Sequence, residues 1–390
     1  MTSSKRDIIS KTKLEFYNEI KKYHSNLKPS KELEGYASQA IVGEKNYPTP
    51  QIHNIQSPNE ENSFFKTSDV VKKDYSQIIK LKARNVLAHT NSIHIKKTKQ
   101  KVIGEINDIY KARKAVDFTS KFDKELTFNK PIINSMSGIL GTKNELLRLE
   151  LNQNAPTSKQ IEKYIQEDVK SKESLIELYE RKVPESQIIN LLSLGNFGIQ
   201  TNRKIVPTRW TITAYDKTIE EHLCKQVKEC RIMSNYQLFY YSDKGNTFLI
   251  ILAPDAYSFE NIEFMPNGWQ AVDYVKYDNK LKYKEPNTAG GFYATKVAIL
   301  EYLRSIKKQA SIVCIRLIDN YEIPLGVVFV RESVREAMKK RIDKTSTMEE
   351  MKMHILKNHT QFYKEFTSSM TLRELRVQKK LNDFFNPNLD

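Results

Sequence analysis

The stretch Y-Q-L-F-Y-Y-S-D-K-G-N-T-F-L-I-I-L-A, Tyr236 to Ala253, decides the fold class. Two runs rich in aromatic and β-branched residues, Tyr236–Tyr241 and Phe248–Ala253, flank S-D-K-G-N, and that order predicts two strands joined by a hairpin loop. Working outward, V-P-T-R-W-T-I-T-A-Y-D (Val206 to Asp216) has the same strand-like composition. Downstream, T-A-G-G-F-Y (Thr288 to Tyr293) opens a helix that runs to about Ile306. Ala310–Ile318 and Pro324–Val330 read as two more strands, and Val334–Lys340 starts a further helix.

Upstream the pattern differs. Residues 1–25, Ser76–Val86, Val102–Val116 and the region from Ser158 to Leu194 read as helices, with Pro184 interrupting the last of these. Residues 30–63, with Pro48, Pro50 and Pro58, read as loop, and 120–150 as irregular. The expectation is an α+β chain with a helical N-terminal part, a mixed sheet with packed helices in the second half, and a flexible C-terminal tail.

The chain has 390 residues, 39% of them hydrophobic, which is enough for a sizeable core. It carries 63 Lys+Arg against 47 Asp+Glu, a formal charge of +16 that favours polyanions such as nucleic acid. H-I-K-K-T-K-Q-K (His94 to Lys101) is either a phosphate contact or a solvated loop. The longest apolar run, Phe248–Ala253, is too short to span a bilayer, and the N-terminus lacks an apolar signal core. No membrane partner and a cytoplasmic, nucleoid-associated location are expected. Three cysteines form no disulfide framework, and H-L-C-x5-C at His222–Cys230 lacks a metal site's ligand number and spacing. No metal is assigned, and the cofactor is unknown.

Three constellations are candidates for chemistry. Arg209 and Asp216 lie in the strand-like Val206–Asp216 segment, as a phosphate-binding fork with an acid or as an internal ion pair. Gly290 and Gly291 precede a helix, where free N–H groups attract anions or the chain merely turns. Tyr293 follows them. Glu301, further along that helix, is a metal ligand, a general acid, or the partner of an arginine such as Arg209 or Arg304. Arg316 shares a strand face with Ile312, Cys314 and Ile318 and so needs an anionic partner. Phosphate-loop, zinc-protease and serine-hydrolase templates are absent, and E-R-K at Glu180–Lys182 lacks the preceding Asp of a nuclease.

The last candidate is the tail, Q-K-K-L-N-D-F-F (Gln378 to Phe385). On a single helical turn Leu381, Phe384 and Phe385 form a three-pronged apolar plug, with Gln378 one turn earlier. The pattern is similar to the PCNA-interacting peptide of sliding-clamp partners. The alternative is an aromatic pair docking on the chain's own surface.

Several segments in order carry a wider likeness: L-L-S-L-G-N-F-G, R-K-I-V-P-T-R-W-T-I-T-A-Y-D, G-N-T-F-L-I-I-L, G-G-F-Y-A-T-K-V-A-I-L-E-Y-L and P-L-G-V-V-F-V-R-E-S-V-R-E-A. Through these, and more loosely through Ala40–Pro48 and Lys114–Phe118, the chain resembles the archaeal Nre proteins. Glu44 stands where the family pattern has arginine, and Leu317 where it has an acidic residue. A glycine-proline pair is expected near Ser137 and Gly138. The N-terminal cysteine cluster of some members is missing, so no zinc site is carried over. The resemblance implies an N-terminal extension at 1–25, family domains at 26–285 and 286–370, and a clamp-binding tail at 371–390. It implies DNA repair through the clamp but supplies no reaction. Two readings stand open: a DNA-processing enzyme, nuclease or DNA-modifying, using Arg209, Asp216, Tyr293, Glu301 and Arg316; or a non-catalytic adaptor tethering another repair factor. Charge alone would also fit an RNA-associated protein.

Overall fold

The computed structural model describes residues 14–22, 30–57, 69–127, 132–134, 138–152, 156–276, 286–319 and 325–377. The chain divides into two compact units, Met1–Ile219 with Glu322–Phe329, and Glu220–Tyr321 with Val330–Asp390. The class is α+β, as expected. Among the described residues no helix is long and apolar enough to cross a membrane. The tail positions Gln378, Leu381, Phe384 and Phe385 lie outside the described residues.

The first unit begins with helix α1 (14–22), whose Phe16 and Ile20 pack with Ile79 and Ala83 of α3 (Tyr75–Ala83). A four-residue helix, α2 (Asp69–Lys72), precedes α3. The strands are β1 (Glu32–Val42), β2 (Ile52–Ser57), β3 (Val86–His89), β4 (Asp117–Phe122), β5 (Ile132–Asn134) and β6 (Gly138–Leu151). Their order is β3-β2-β1-β4-β6-β5, and β3 also pairs in parallel with β6. That extra pairing closes β1, β2, β3, β6 and β4 into a five-stranded barrel. Closure removes the two exposed edges an open sheet would leave. The long β1 serves both neighbours by bending at a bulge between Ala37 and Gln39. Val86, Ala88, Phe122 and Leu146 fill the inside, with Leu33, Leu126 and Val102 of α4 (Lys101–Lys111) packed on them. Tyr110 of α4 donates to Asn54 of β2 at 2.8 Å. Helices α5 (Lys159–Gln166), α6 (Ser171–Glu180) and α7 (Glu185–Ser193) follow.

The first half therefore holds, besides its helices, a sheet that its sequence did not announce. Residues 30–63 read as loop, and 120–150 as irregular, because over their described parts the barrel takes small and polar residues inward. Ala40 pairs with Asn54, and Asn54 with Ala88. All three are buried.

The segment Val206–Asp216 is not a strand. Helix α8 runs Thr208–Lys228. Pro207 ends the preceding chain and its carbonyl accepts from Trp210 and Thr211 N–H. The threonine hydroxyls bond back into the helix, Thr211 to the Thr208 carbonyl at 2.8 Å and Thr213 to the Arg209 carbonyl at 3.3 Å. The deciding signal is the spacing of the buried residues Thr211, Tyr215, Ile219, Leu223 and Val227. Each lies four residues from the last, a helical period that outweighs β propensity over a long enough window. The strand expected at Pro324–Val330 is likewise, over its described part, the start of α10 (Gly326–Lys339), with Val330, Val334 and Met338 buried at the same spacing.

The second unit carries β7 (Arg231–Ile232), β8 (Tyr236–Asp243), β9 (Asn246–Ala253), β10 (Ser258–Phe264), β11 (Gln270–Val275), helix α9 (Gly290–Ser305), β12 (Lys308–Gln309), β13 (Ser311–Ile318) and β14 (Arg341–Thr345). Its six-stranded sheet has the order β11-β10-β13-β9-β8-β14, and the short β7 and β12 pair separately. The β8–β9 hairpin turns through Lys244 and Gly245, both at positive φ (47° and 71°), with Asp243 opposite Asn246. Two residues at positive φ make the two-residue turn whose twist matches the strands. One sheet face packs Leu238, Leu249, Ile251, Val313 and Ile315 on Met351 and Ile355 of α11 (Met348–Asn358), Phe366 of α12 (Tyr363–Ser368) and Leu372 of α13 (Met370–Val377). The opposite face meets α9, where Phe259 and Phe292 stand edge to face at 5.3 Å.

Ile315 is fully buried on the central strand. Ile315→Ala is expected to destabilise the second unit by ~2–5 kcal/mol, read from the urea midpoint at unchanged slope.

Candidate functional site

The sequence candidates fall at three places. The first is the start of α9. Arg316, on β13, faces α9 with Cys314 and Ile312 and is nearly buried, as is Glu263 on β10. Its guanidinium donates to Glu263 Oε1 at 3.0 Å and to Asn246 Oδ1 at 3.0 and 2.5 Å. Parallel pairing of β10 with β13 sets Glu263 beside Arg316, and antiparallel pairing with β9 brings Asn246 opposite Ile318. The anion that Arg316 requires is thus a carboxylate of the protein itself. Gly291 packs against the same group: a Cβ there would lie 2.7 Å from Glu263 Oε1.

Just ahead of α9, Asp273 of β11 is buried and accepts from Asn287 N–H (2.8 Å), Thr288 N–H (2.7 Å) and the Thr288 hydroxyl (2.6 Å). Asn261 donates to that hydroxyl at 3.1 Å. Ala289 sits at φ 47°, ψ −129°, a conformation costly for any residue but glycine, and the flanking hydrogen bonds hold it. Negative charge at the start of a helix is favoured by the free N–H groups there. Two of the protein's own carboxylates, Glu263 and Asp273, supply it. Gly291 gives the close approach that Glu263 requires.

The remaining candidates of the second unit are spread along α9. Tyr293 is buried in its first turn. Glu301, two turns on, accepts a forked pair from Arg335 of α10 at 2.9 and 2.8 Å, and Arg335 also reaches Glu332 at 2.7 Å. Between them Lys296 is buried, paired with Glu220 and 4.9 Å from the Phe292 ring centroid. Cys224, close by, has its thiol pushed up by burial and is a weak nucleophile there.

The third place is in the first unit. Arg209 and Asp216 are on α8, not on a strand: Asp216 is fully buried, whereas the Arg209 side chain keeps half its surface open, 3.7 Å from Glu44. Thr208 anchors this end of the helix by accepting from Val42 N–H at 2.8 Å. Next to Arg209, Trp210 is 47% exposed and lies 5.1 Å from the ring of Tyr47, itself 38% exposed. On the barrel, His53 of β2 pairs with His89 of β3. Burial first, then the charge of Lys143 and then His89, lowers His53 to about 4, so its ring is neutral near pH 7.

Sequence reasoning missed Glu263, Asp273, Asn246 and the Tyr47–Trp210 pair. The acids did leave a trace: F-E-N-I-E-F and V-D-Y-V set carboxylates inside apolar strands, where each needs a buried donor. The Tyr47–Trp210 pair left none, because its members are 163 residues apart and meet only through the fold.

The family profile described as archaeal Nre, N-terminal, matches residues 10–270, and that described as archaeal Nre, C-terminal, matches 276–384. The chain is 28% identical over 312 residues to the DNA repair protein NreA of Archaeoglobus fulgidus, covering 77% of this chain and 78% of that protein. It is 30% identical over 237 residues to DNA repair protein NreB of the same organism, covering 58% and 60%. To the DNA repair protein NreA of Haloferax volcanii it is 33% identical over 201 residues, 48% of each.

Removing Arg316 leaves Glu263 buried without its cation, so Arg316→Ala is expected to cost about 3–5 kcal/mol in a denaturant titration. Arg316→Met combined with Glu263→Gln is expected to recover most of that loss. For His53 the folded pKa lies below the unfolded 6.5, so the unfolded chain binds the proton first. Its contribution is complete above pH 6.5 and is lost as pH falls from there towards 4. Melting curves at pH 7.5 and 5 are expected to show a smaller drop for His53→Gln than for the unsubstituted chain.

Proposed function

The chain belongs to the archaeal Nre family, and from that premise we propose that it is a DNA repair protein, recruited to the sliding clamp PCNA by its C-terminal Q-x-x-L-x-x-F-F segment and acting at damaged DNA. The relatives from Archaeoglobus and Haloferax bear the name DNA repair protein, and the +16 charge suits a polyanionic substrate. The single observation that carries clamp recruitment is the spacing of Gln378, Leu381, Phe384 and Phe385. In the sequence Gln378 directly follows Val377, the last described residue of α13.

In this reading the partners are PCNA and DNA, with no membrane, in the cytoplasm at the nucleoid. Among the candidate catalytic and phosphate-binding residues (Arg209, Asp216, Tyr293, Glu301, Arg316, Gly290 and Gly291), Arg209 has the exposure that phosphate contact requires. One observation favours the second reading, a non-catalytic adaptor: Arg316 and Glu301 already spend their charge on Glu263 and Arg335.

Two Phe side chains docked in a clamp pocket are worth about 1.5–3 kcal/mol each. Phe384→Ala with Phe385→Ala is therefore expected to weaken clamp binding by about 100-fold or more in calorimetry. Binding unchanged by that pair would reject clamp recruitment through this segment. Mass spectrometry of damaged and intact oligonucleotides incubated with protein, clamp and divalent metal separates the two readings. A product mass lost in Arg209→Ala makes the chain an enzyme, and unaltered DNA throughout makes it an adaptor.

A further inference from the structure

We propose that the outer face of β2, β3 and β6, with the loop joining β1 to β2, binds single-stranded DNA, stacking an unpaired base on Trp210 and Tyr47. The proposal rests on the DNA-directed reading above and narrows it to an unpaired strand.

The starting point is connectivity. A bulged first strand pairs with both the second and β4, β3 closes in parallel on β6, and a helix, α4, lies between β3 and β4. This is the topology of the oligonucleotide- and oligosaccharide-binding (OB) barrel, whose ligands cross the face of the second and third strands beside the loop between the first and second. A fold alone assigns no ligand. Three observations on that face do.

The first is aromatic. Tyr47, in the loop between β1 and β2, and Trp210 beside it present two half-open rings at 5.1 Å. Exposed rings set among cations are what unpaired bases stack on. A base within a duplex has both faces covered and cannot use them.

The second is charge. Lys45 is in the same loop, and Arg209 precedes Trp210. Lys143 stands on β6 opposite Leu87 and donates to Gln51 at 2.7 Å. Burial and the Lys45 charge both hold its ammonium below the usual range, which places the two cations within electrostatic reach. The chain after β3 is tied along the loop by Thr90 N–H to the Ile52 carbonyl, Ile93 to Pro50 and Ile95 to Pro48. Those bonds carry the exposed Lys96 and Lys97 to the same end of the barrel. Against these cations stand Glu44, which faces Arg209, and Glu145, opposite His89. The balance is positive, as a phosphate track requires.

The third is a free polar group. His53 Nδ1 is buried and meets no hydrogen-bond partner among the described residues. Its ring is on the outer face with His89, above the buried Ile55 and Leu87. A neutral imidazole there suits the edge of a base.

The test uses the full-length protein. Trp210 and Trp269 are its two tryptophans, so in a Trp269→Phe background the fluorescence reports on Trp210. Titration with oligo-dT, with a duplex of the same length and with oligo-U is followed by indole quenching and by anisotropy of end-labelled strands. Expected are quenching and tighter binding by oligo-dT than by the duplex. Trp210→Ala is expected to weaken oligo-dT binding by about 10-fold or more at unchanged melting temperature. Lys45→Ala with Lys143→Ala is expected to lower the salt slope by ~0.7 for each phosphate that is no longer neutralised. Duplex binding that Trp210→Ala leaves intact, with no quenching by oligo-dT, overturns the site but leaves the DNA reading standing. Absence of binding to any of the three overturns both. Preference for oligo-U over oligo-dT overturns DNA as the occupant.

Discussion

Three carboxylates on β10 and β11 are held out of water, and the second unit is arranged so that each is met. A buried charge without its partner costs several kcal/mol, more than most single packing contacts return. Glu260 accepts from the Ser369 hydroxyl and from Met370 and Thr371 N–H, which fixes the start of α13. Glu263 takes Arg316, and Asp273 takes the two N–H groups ahead of α9. Two of the three meet backbone donors at or just before a helix. Placing these acids on adjacent edge-side strands therefore also places the helices on both faces of the sheet. The strained Ala289 persists because these bonds leave the chain no alternative path.

In the first unit the corresponding constraint is closure. A barrel of only five strands has no room for large side chains throughout, so small residues and hydrogen-bonded amides share its interior with a few aliphatics. Gln56 donates to the Leu33 carbonyl at 2.9 Å, and Asn144 accepts from Thr127 N–H at 3.0 Å. The same closure sets Lys143 next to β3 and turns His53 and His89 outward on one face. Electrostatics and architecture are in this sense one design: the cations gather where the pairing of β3 with β6 brings distant segments together.

What was legible in the sequence follows from the range of the interactions involved. The hairpin at Lys244–Gly245 and helix α9 are local events, signalled by a turn dipeptide and by glycines before an apolar periodic run. Arg316 announced its need for an anion, although not that Glu263 would be the one. Helix α8 was hidden because eleven residues of threonine, tryptophan and tyrosine look like strand. Only the twenty-one-residue stretch reveals its four-residue period. The barrel was hidden because its interior is partly polar, so β1 and β2 lack the alternation of an ordinary half-buried strand. The pairing of Val86 with Thr142 spans 56 residues, and no short-range pattern encodes it.

The hold of Glu260 on α13 has a mechanical side. A pull applied to the chain beyond Val377 enters α13 and reaches its first turn, where Leu372 is fully buried and two N–H groups grip one carboxylate. From there the load passes into β10, which is flanked by β11 and β13 and so shares it with both neighbours. Helix α13 is thus moored through one carboxylate to a strand that is itself held on both sides.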